Sequence, residues 1–362
     1  MEALHSLKKR IEPFPRVRLA HLPTPLESMD GLARRLERFN LFIKRDDQTG
    51  LAFGGNKARK LEFIMADVLE QGADCVITWA GVQSNWCRQT AAAAARLGIK
   101  PVLILFKKPA FRTEYDGNLL LDYIFNATIE VIEAEADKKT MELADVAGII
   151  EEAAGKERRL GNTPYIAPIG GSLVEGSMDK PWGAIGYVLA FIEIFEQMSS
   201  RGVQIGAVVH AAGSGATQAG LLVGAKILSP ETRIVGINVS EDNETMTRYV
   251  RSIADRTFEL LDLDMRTGEE DIVVFEDYLR EGYGVFIQEV ADAIALVAES
   301  EGVLLDPVYT GKAMMGLLDL LQKGYFKEGE SIVFLHSGGT PALFPYREDI
   351  ITHLDRTQAA TE

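Results

Sequence analysis

Short apolar runs alternate with longer helical segments along most of this chain, and this alternation constrains the fold more than any other feature. In a first series, the strand-like runs CVITWA and PVLILF flank the segment SNWCRQTAAAAARLG. Ser84 is a favourable residue for a helix start, alanine favours helix and Gly98 suits a helix end. The series continues with TIEVIEA, a helix from about residue 138, and PYIAPIG. Strands separated by helices predict parallel sheets covered on both faces.

A second series of the same kind occupies the C-terminal half. The helical segment WGAIGYVLAFIEIFEQM, preceded by Pro181, leads to the apolar run IGAVVHAA and a glycine-rich turn. The helical segment TQAGLLVGAKIL and the run RIVGINV follow. Apolar residues then recur at helical spacing from Phe286 to Val297 and from Met314 to Leu321, before the run SIVFLHSGG. Because 362 residues exceed one ordinary hydrophobic core, two α/β domains are predicted.

Charge and cysteine content narrow the class of protein. A net charge of −15 argues against nucleic acid or an anionic membrane as a partner, since no local basic patch overrides it. The two cysteines, Cys75 and Cys87, are too few for a disulfide framework and fit a reducing compartment. The sequence shows neither a signal-peptide pattern nor an apolar stretch of about 20 residues, so we expect a cytoplasmic protein. The five histidines lack metal-ligand spacing, and we predict no metal site.

The stretch FGGNKARKLE, residues 53–62, places Lys57 directly after two glycines and an asparagine. Glycine permits a close approach of ligand and backbone, and a lysine there either binds an anion or reacts as an amine with a carbonyl. A nucleotide P-loop is disfavoured because Asn56 occupies the lysine position and Ala58 replaces the hydroxyl that binds magnesium. A solvated surface turn remains the simplest interpretation of this stretch alone.

Two further turns follow apolar runs. In HAAGSGATQAG, the residues 213–217 combine hydroxyls with the backbone N–H groups of a helix start, which together suit an anion. The dinucleotide fingerprint fails at Gln218, so a single phosphate is favoured over a pyrophosphate. The turn LHSGGTPALF adds Ser337 and Thr340. Because ligands bind at the carboxyl ends of strands in such sheets, the three turns predict one shared cleft.

Eight segments together resemble one known family: LPTPLE, IKRDD, GGNKARKLE, QSN followed by RQTAA, GSGATQAG, EGYG, LDPVYTGKA and FLHSGGTPALF. Their order over residues 22–344 is similar to that in the pyridoxal-phosphate enzymes that comprise D-cysteine desulfhydrase and 1-aminocyclopropane-1-carboxylate deaminase. The resemblance implies the tryptophan synthase β-like fold, fold type II, with two open parallel-sheet domains. Residues 1–60 and 178–362 would form the large domain and residues 61–177 the small one. Pyridoxal 5′-phosphate (PLP) would lie between them, and a homodimer is expected.

The resemblance also implies roles for individual residues. Lys57 would hold PLP covalently, Asn85 would hydrogen-bond the pyridine hydroxyl and Ser337 would face the ring nitrogen. The full set expected to contact the cofactor is Lys57, Lys60, Asn85, Gly213, Ser214, Gly215, Ala216, Thr217, Tyr309 and Ser337. Tyr309 would lie against the ring, Tyr283 would line the substrate pocket and Ser84 would lie near the substrate carboxylate. The expected catalytic residues are Lys57, Ser84, Tyr283 and Tyr309.

The expected reaction is α,β-elimination from a small β-substituted amino acid. Two positions decide the branch, because the deaminases typically carry glutamate and leucine where this sequence has Thr310 and Ser337. Both residues resemble the desulfhydrase branch, which implies conversion of D-cysteine to pyruvate, hydrogen sulfide and ammonia. The deamination of 1-aminocyclopropane-1-carboxylate and the elimination of sulfite from cysteate, or of other β-substituents, remain open.

One departure from the family pattern bears on the substrate. Trp86 and Cys87 follow the QSN segment, where relatives usually carry a histidine or glutamine and a small residue. Trp86 either reshapes the substrate pocket or packs at the domain interface, and Cys87 is expected to be a buried, unreactive thiol. Outside the family, the alternatives are a small-molecule sensor on the same scaffold and a nucleotide-dependent oxidoreductase, which Gln218 disfavours.

Overall fold

The computed structural model describes residues 1–107, 115–133 and 143–361. Its ten strands are β1 (Leu26–Ser28), β2 (Asn40–Arg45), β3 (Cys75–Gly81), β4 (Lys100–Lys107), β5 (Thr128–Glu133), β6 (Pro164–Ile166), β7 (Ala207–Ala212), β8 (Arg233–Asn238), β9 (Val273–Phe275) and β10 (Ser331–His336). The same ranges contain the helices α1 (Glu2–Ile11), α2 (Asp30–Leu36), α3 (Lys57–Glu70), α4 (Asn85–Leu97), α5 (Gly117–Ile124), α6 (Leu143–Arg159), α7 (Trp182–Ser200), α8 (Ala216–Leu228), α9 (Asn243–Leu260), α10 (Gln288–Glu301), α11 (Thr310–Gln322) and α12 (Arg347–Thr361).

The strands form two sheets. The first has six strands in the order β1-β2-β10-β7-β8-β9, and the second has four in the order β5-β4-β3-β6. Only the edge pair β1–β2 is antiparallel, and every other neighbouring pair described here is parallel. The predicted α/β class with two parallel sheets is therefore confirmed. The second sheet lies between residues 75 and 166, inside the range expected for the small domain, whose exact boundaries remain a prediction.

Strand order places the chemically interesting turns together. His336, the last residue of β10, pairs with Arg45, the last residue of β2, and β7 runs parallel to β10 on its other side. These three strands therefore end at one edge of the sheet. In the sheet, β7 has β8 as its neighbour on one side and β10, followed by β2, on the other. The strand order therefore reverses next to β7, which makes this edge a topological switch point.

The local signals at α4 are confirmed in detail. Ser84 accepts hydrogen bonds from the N–H groups of Trp86 and Cys87, both at 3.2 Å, and so caps the helix N-terminus. Gly98 ends the helix in the left-handed conformation, with φ of 70°. The predicted helix start near residue 138 falls outside the described residues. The prediction at Phe286 is wrong by two residues, because Ile287 is extended and α10 begins after it.

A buried ionic cluster fixes α3 against its neighbours. Asp46 accepts hydrogen bonds from Arg59 at 2.8 and 2.9 Å and from the Tyr187 hydroxyl at 2.7 Å. Arg59 also pairs with Glu193 of α7 at 2.7 Å. Although burial opposes the charged form, Arg59 holds the pKa of Asp46 below its ordinary value. Asp46 therefore orients the segment that carries Lys57.

Three composition-based expectations can be compared with the described residues. No helix among them is long and apolar enough to span a bilayer. Within the same residues, no group of three or more His, Cys, Asp or Glu side chains could bind a metal ion. Cys75 and Cys87 are both free and buried.

Candidate active site

A cavity lies between the two sheets, at the carboxyl ends of β2, β3, β7 and β10. Every residue in the predicted cofactor-binding and catalytic sets lines it, with the exception of Ala216, whereas Thr310 and Thr340 do not line it. Ala216 is buried as the first residue of α8 and contributes only its backbone. Trp86, for which the sequence left a place in the substrate pocket open, lines the cavity as well. The remaining lining residues are ones to which the sequence assigned no place in the site: Asn56, Ala80, Gly81, Phe106, Ile169, Gly170, His210, Ala211, Ala212, Gln218, Ser240 and Gly338.

Lys57 is the first residue of α3, and its amine faces the cavity. The amine donates a hydrogen bond to Oδ1 of Asn56 at 2.9 Å. Burial first, and then the positive charge of Arg88, lower the pKa of Lys57 from 10.5 to about 8, while Asp306 acts in the opposite direction. A lysine of this kind carries an appreciable uncharged fraction near neutral pH and can attack a carbonyl.

The glycines before Lys57 are required by contacts with other turns. A Cβ on Gly54 would lie 1.9 Å from the carbonyl oxygen of Asp47, and one on Gly338 would lie 2.6 Å from Cα of Gly55. Asn56 donates its backbone N–H to the carbonyl oxygen of Ser337 at 2.9 Å. The lysine turn therefore packs backbone to backbone against the turn after β10.

The N-terminus of α8 opens into the same cavity. Gly215 precedes it with φ of 92° and provides no side-chain cap, so the first N–H groups of the helix are available to a ligand. Two hydroxyls flank them: Oγ of Ser214 lies 2.7 Å from Oγ of Ser172, and Oγ1 of Thr217 accepts from Nδ2 of Asn56 at 3.3 Å. Backbone donors, hydroxyls and the helix dipole together suit a phosphate group.

Lys60 places a second buried amine at this end of the cavity. It is almost fully buried, and its amine donates to the carbonyl oxygen of Gly170 at 3.1 Å. Burial, and then the neighbouring Lys57, hold the pKa of Lys60 well below its ordinary value. Among the described contacts, both amines bond only neutral oxygens. Two buried amines beside a helix N-terminus, without a carboxylate on either, fit a bound anion.

Asn85 is held so that its amide nitrogen, which bonds no residue in the described part of the chain, can contact a ligand. Its Oδ1 accepts a hydrogen bond from Nδ2 of Asn118 at 3.0 Å, which leaves Nδ2 of Asn85 as the donor toward the cavity. The backbone N–H of Asn118 is in turn bonded to Oε1 of Gln83 at 2.9 Å. An amide donor fixed in this way suits an oxygen on a ring.

Two tyrosines form the opposite wall. The hydroxyls of Tyr283 and Tyr309 are 2.5 Å apart, and the rings meet edge to face at 5.9 Å. Burial raises the pKa of Tyr283 to about 12 and that of Tyr309 well above its ordinary value, so both hydroxyls keep their protons at neutral pH. Asp306 fixes Tyr309 by accepting its backbone N–H at 2.9 Å. Asp306 lies four residues before the start of α11 and is not its N-cap, so the capping rules gave no sequence signal for this role.

The two branch-deciding residues occupy different environments. Ser337 lines the cavity, beside Gly338. Thr310 does not line it: its buried hydroxyl donates to Oδ1 of Asp306 at 2.7 Å and accepts from the Asp306 N–H at 2.8 Å. Thr310 therefore contributes to the start of α11 rather than to the cavity wall.

Trp86 packs and lines the cavity at the same time. Its indole N–H donates to Oγ1 of Thr78 at 2.7 Å, and the ring lies against Gly171, whose Cβ would come within 3.0 Å of it. Cys87 is fully buried, and burial raises the pKa of its thiol well above the ordinary value, so the thiolate is disfavoured. Ile169 and Gly170, from the connection after β6, complete this side of the cavity.

Comparison with known proteins identifies the family. Residues 17–338 match the family described as pyridoxal-phosphate dependent enzymes. The chain belongs to this family. It is 42% identical to a D-cysteine desulfhydrase of Klebsiella pneumoniae over 336 residues, which are 92% of this chain and 96% of that protein. A solved structure described as an ACC deaminase homologue is 37% identical, with a TM-score of 0.85, and the match covers 96% of this chain and 99% of that one.

The fold is that of fold type II PLP enzymes. A threonine deaminase isoform from Solanum lycopersicum shares it with a TM-score of 0.64 at 18% identity, over 97% of this chain and 88% of that one. PLP is accordingly the cofactor of this enzyme. The cavity fits it, because an amine with a lowered pKa, a helix N-terminus without a side-chain cap and a fixed amide donor line a single space.

Proposed function

We propose that the protein is a carbon–sulfur lyase that converts D-cysteine and water to pyruvate, hydrogen sulfide and ammonia. The carrying observation is the 42% identity to a D-cysteine desulfhydrase across nearly the full length of both chains. The cavity supports the same chemistry, since it combines Lys57, a serine at position 337 and a protonated tyrosine pair.

We assign the covalent attachment of PLP to Lys57 and the binding of its phosphate to residues 213–217 and Lys60. Asn85 supplies the donor to the pyridine hydroxyl, and Ser337 faces the ring nitrogen. When bound, PLP supplies an electron sink for the electron pair released at the substrate Cα. Ser337 cannot hold a full positive charge on the ring nitrogen as a carboxylate would, which tempers that sink and favours elimination.

Proton movements are assigned to Lys57 and the tyrosine pair. The amine of Lys57 accepts the proton from the substrate Cα, for which its lowered pKa is suitable. The hydroxyls of Tyr283 and Tyr309 keep their protons and are positioned as a connected pair, so one can protonate the departing sulfur while the other stabilises it.

The substrate carboxylate is assigned to the start of α4. Oγ of Ser84 accepts two backbone N–H groups, and its own hydrogen can donate to a carboxylate in place of the neighbouring Cys87 thiol. The helix dipole favours the negative charge at the same point. Trp86, beside this position, narrows the cavity and favours a small amino acid.

A substrate panel tests this proposal. D-cysteine, L-cysteine, D-serine, cysteate and 1-aminocyclopropane-1-carboxylate are each supplied to the PLP-loaded enzyme, with pyruvate, 2-oxobutyrate and sulfide measured separately. We expect the highest kcat/KM with D-cysteine and no turnover by Lys57→Ala. Preferential release of 2-oxobutyrate from the cyclopropane substrate would assign the deaminase activity instead, the alternative that the 37% identical ACC deaminase homologue favours.

A sensor role predicts a different result. It requires ligand binding without turnover of any amino acid, and an unchanged ligand affinity in Lys57→Ala. We further propose that the enzyme is a cytoplasmic homodimer with a large domain of residues 1–60 and 178–362. Light scattering should then give about twice the chain mass of 39.8 kDa. A mass equal to that of one chain would contradict the dimer.

A further inference from the structure

Arg88 is a buried cation that the assigned chemistry does not use. It lies on α4 with no exposed surface, and burial lowers the pKa of its guanidinium only to about 10, so it stays charged at neutral pH. The two hydrogen bonds of the guanidinium described here go to neutral oxygens: NH2 donates to the carbonyl of Gly54 at 2.9 Å and NH1 to Oδ1 of Asn118 at 3.0 Å. Asp122 and Asp306 stabilise this charge electrostatically, but in the described contacts neither carboxylate accepts a hydrogen bond from the guanidinium. A buried charge whose direct hydrogen bonds go to neutral oxygens suggests a function beyond packing.

Both acceptors lead to site residues. Gly54 lies three residues before Lys57, and its carbonyl oxygen is held a second time by Nε2 of Gln89 at 3.0 Å. Asn118, the other acceptor, also bonds Asn85: its Nδ2 donates to Oδ1 of Asn85 at 3.0 Å. One guanidinium thereby connects the turn that carries the reactive amine with the amide assigned to the pyridine hydroxyl.

This connection crosses between the two sheets. The lysine turn belongs to the six-stranded sheet, after β2, whereas α4 and α5 pack on the four-stranded sheet. Relative displacement of the two units would separate the Lys57 amine from the Asn85 amide. The planar fork of arginine, with donors at fixed angles, can hold both sides at once, and a lysine ammonium cannot reproduce that geometry.

We propose that Arg88 is a positioning residue that sets the distance between the Lys57 turn and the Asn85 side chain, and so preorganises the site for PLP. The inference rests on the proposed roles of Lys57 and Asn85, but not on the identity of the substrate. The positioning role of Arg88 predicts a change in the affinity for PLP, which can be measured without turnover.

Two substitutions separate the geometry of Arg88 from its charge. Arg88→Lys keeps the positive charge and loses the fork, whereas Arg88→Gln loses both. We expect the dissociation constant of PLP to rise at least about tenfold in both variants, which corresponds to about 1.4 kcal/mol. Only Arg88→Gln should also raise the pH midpoint for attachment to Lys57, because it alone removes the charge that lowers the pKa of the amine.

A third substitution tests the contact from Arg88 through Asn118 to Asn85. Asn118→Asp still accepts from Arg88, but an ionised carboxylate cannot donate to Asn85. We expect Lys57 to be labelled stoichiometrically after borohydride reduction in this variant, with a shifted absorption band of the bound cofactor. If the Arg88 variants fail to fold, Asn118→Asp still tests the proposed positioning role of Arg88.

A stability-matched control variant distinguishes a specific loss of PLP affinity from a general loss of stability. Ile150→Ala removes a buried side chain from α6, on the four-stranded sheet but outside the cavity lining, and should lower Tm without changing the affinity for PLP. Cofactor affinity within about twofold of wild type in Arg88→Lys, or an unshifted band in Asn118→Asp, would overturn the proposal. Equal losses of affinity in Ile150→Ala would overturn it as well. Failure of the substrate panel with these cofactor results intact would refute the proposed function alone.

Discussion

The pH dependence of cofactor attachment provides a quantitative prediction about Lys57. A pKa of about 8 in place of 10.5 leaves about one amine in ten uncharged at pH 7. That fraction is about 300-fold larger than for an ordinary exposed lysine. Because only the uncharged amine attacks a carbonyl, attachment of PLP should be faster by a similar factor than its reaction with a surface lysine.

The assay mixes cofactor-free protein with PLP in a stopped-flow instrument and follows the visible band of the lysine-bound cofactor across neutral and alkaline pH. We expect the rate to rise with pH and to level off around a midpoint near 8. Lys57→Ala should give no saturable phase. A rate that continues to rise toward a midpoint near 10.5 would refute the argument that burial and Arg88 hold the amine partly neutral.

Three further predictions concern stability and phosphate binding. The pKa of Lys57 is lower in the folded than in the unfolded cofactor-free protein, so burial of the protonated amine lowers the free energy of unfolding. This destabilisation has its full size below about pH 8 and disappears as the pH rises through 10.5. Lys57→Met should therefore raise Tm at pH 7 and lose that advantage above pH 10.5; a pH-independent difference would contradict this. Lys60→Gln should raise the dissociation constant of PLP about tenfold but leave that of pyridoxal, which lacks the phosphate, within about twofold. Equal losses for the two ligands would remove Lys60 from the phosphate site. Asp46→Asn breaks the buried ion pair with Arg59 and should lower the free energy of unfolding, measured by chemical denaturation, by about 3–5 kcal/mol. A decrease below about 1 kcal/mol would show that Glu193 alone compensates the buried charge of Arg59.

Much of the fold could be predicted from local signals. The alternation of apolar runs and helical segments yields the parallel sheets, because strands of this kind need helices between them. Ser84 and Gly98 mark both ends of α4 correctly, since caps depend on a few adjacent residues. The three turns were predicted to share a cleft because the carboxyl ends of neighbouring parallel strands lie at one edge, and all three line the cavity.

What the sequence could not provide are contacts between residues distant in the chain. Nothing near Arg88 indicates that its guanidinium reaches Gly54, 34 residues away, or Asn118, 30 residues away. Thr310 illustrates the opposite case, because its place in the DPVYT motif suggests a site residue, yet its hydroxyl bonds Asp306. Thr310→Glu would place a second carboxylate against a buried one, so Ser337→Leu alone is the cleaner test of branch identity.

The most direct test of the account is the identity of the lysine that holds the cofactor. PLP-loaded protein is reduced with borohydride and digested, and the peptides are analysed by mass spectrometry. The account predicts the pyridoxyl phosphate modification on Lys57 alone, in stoichiometric amount, with the neighbouring Lys60 unmodified. Modification of Lys60, of a lysine outside the cavity, or of none would contradict the assignment of Lys57 as the reactive amine.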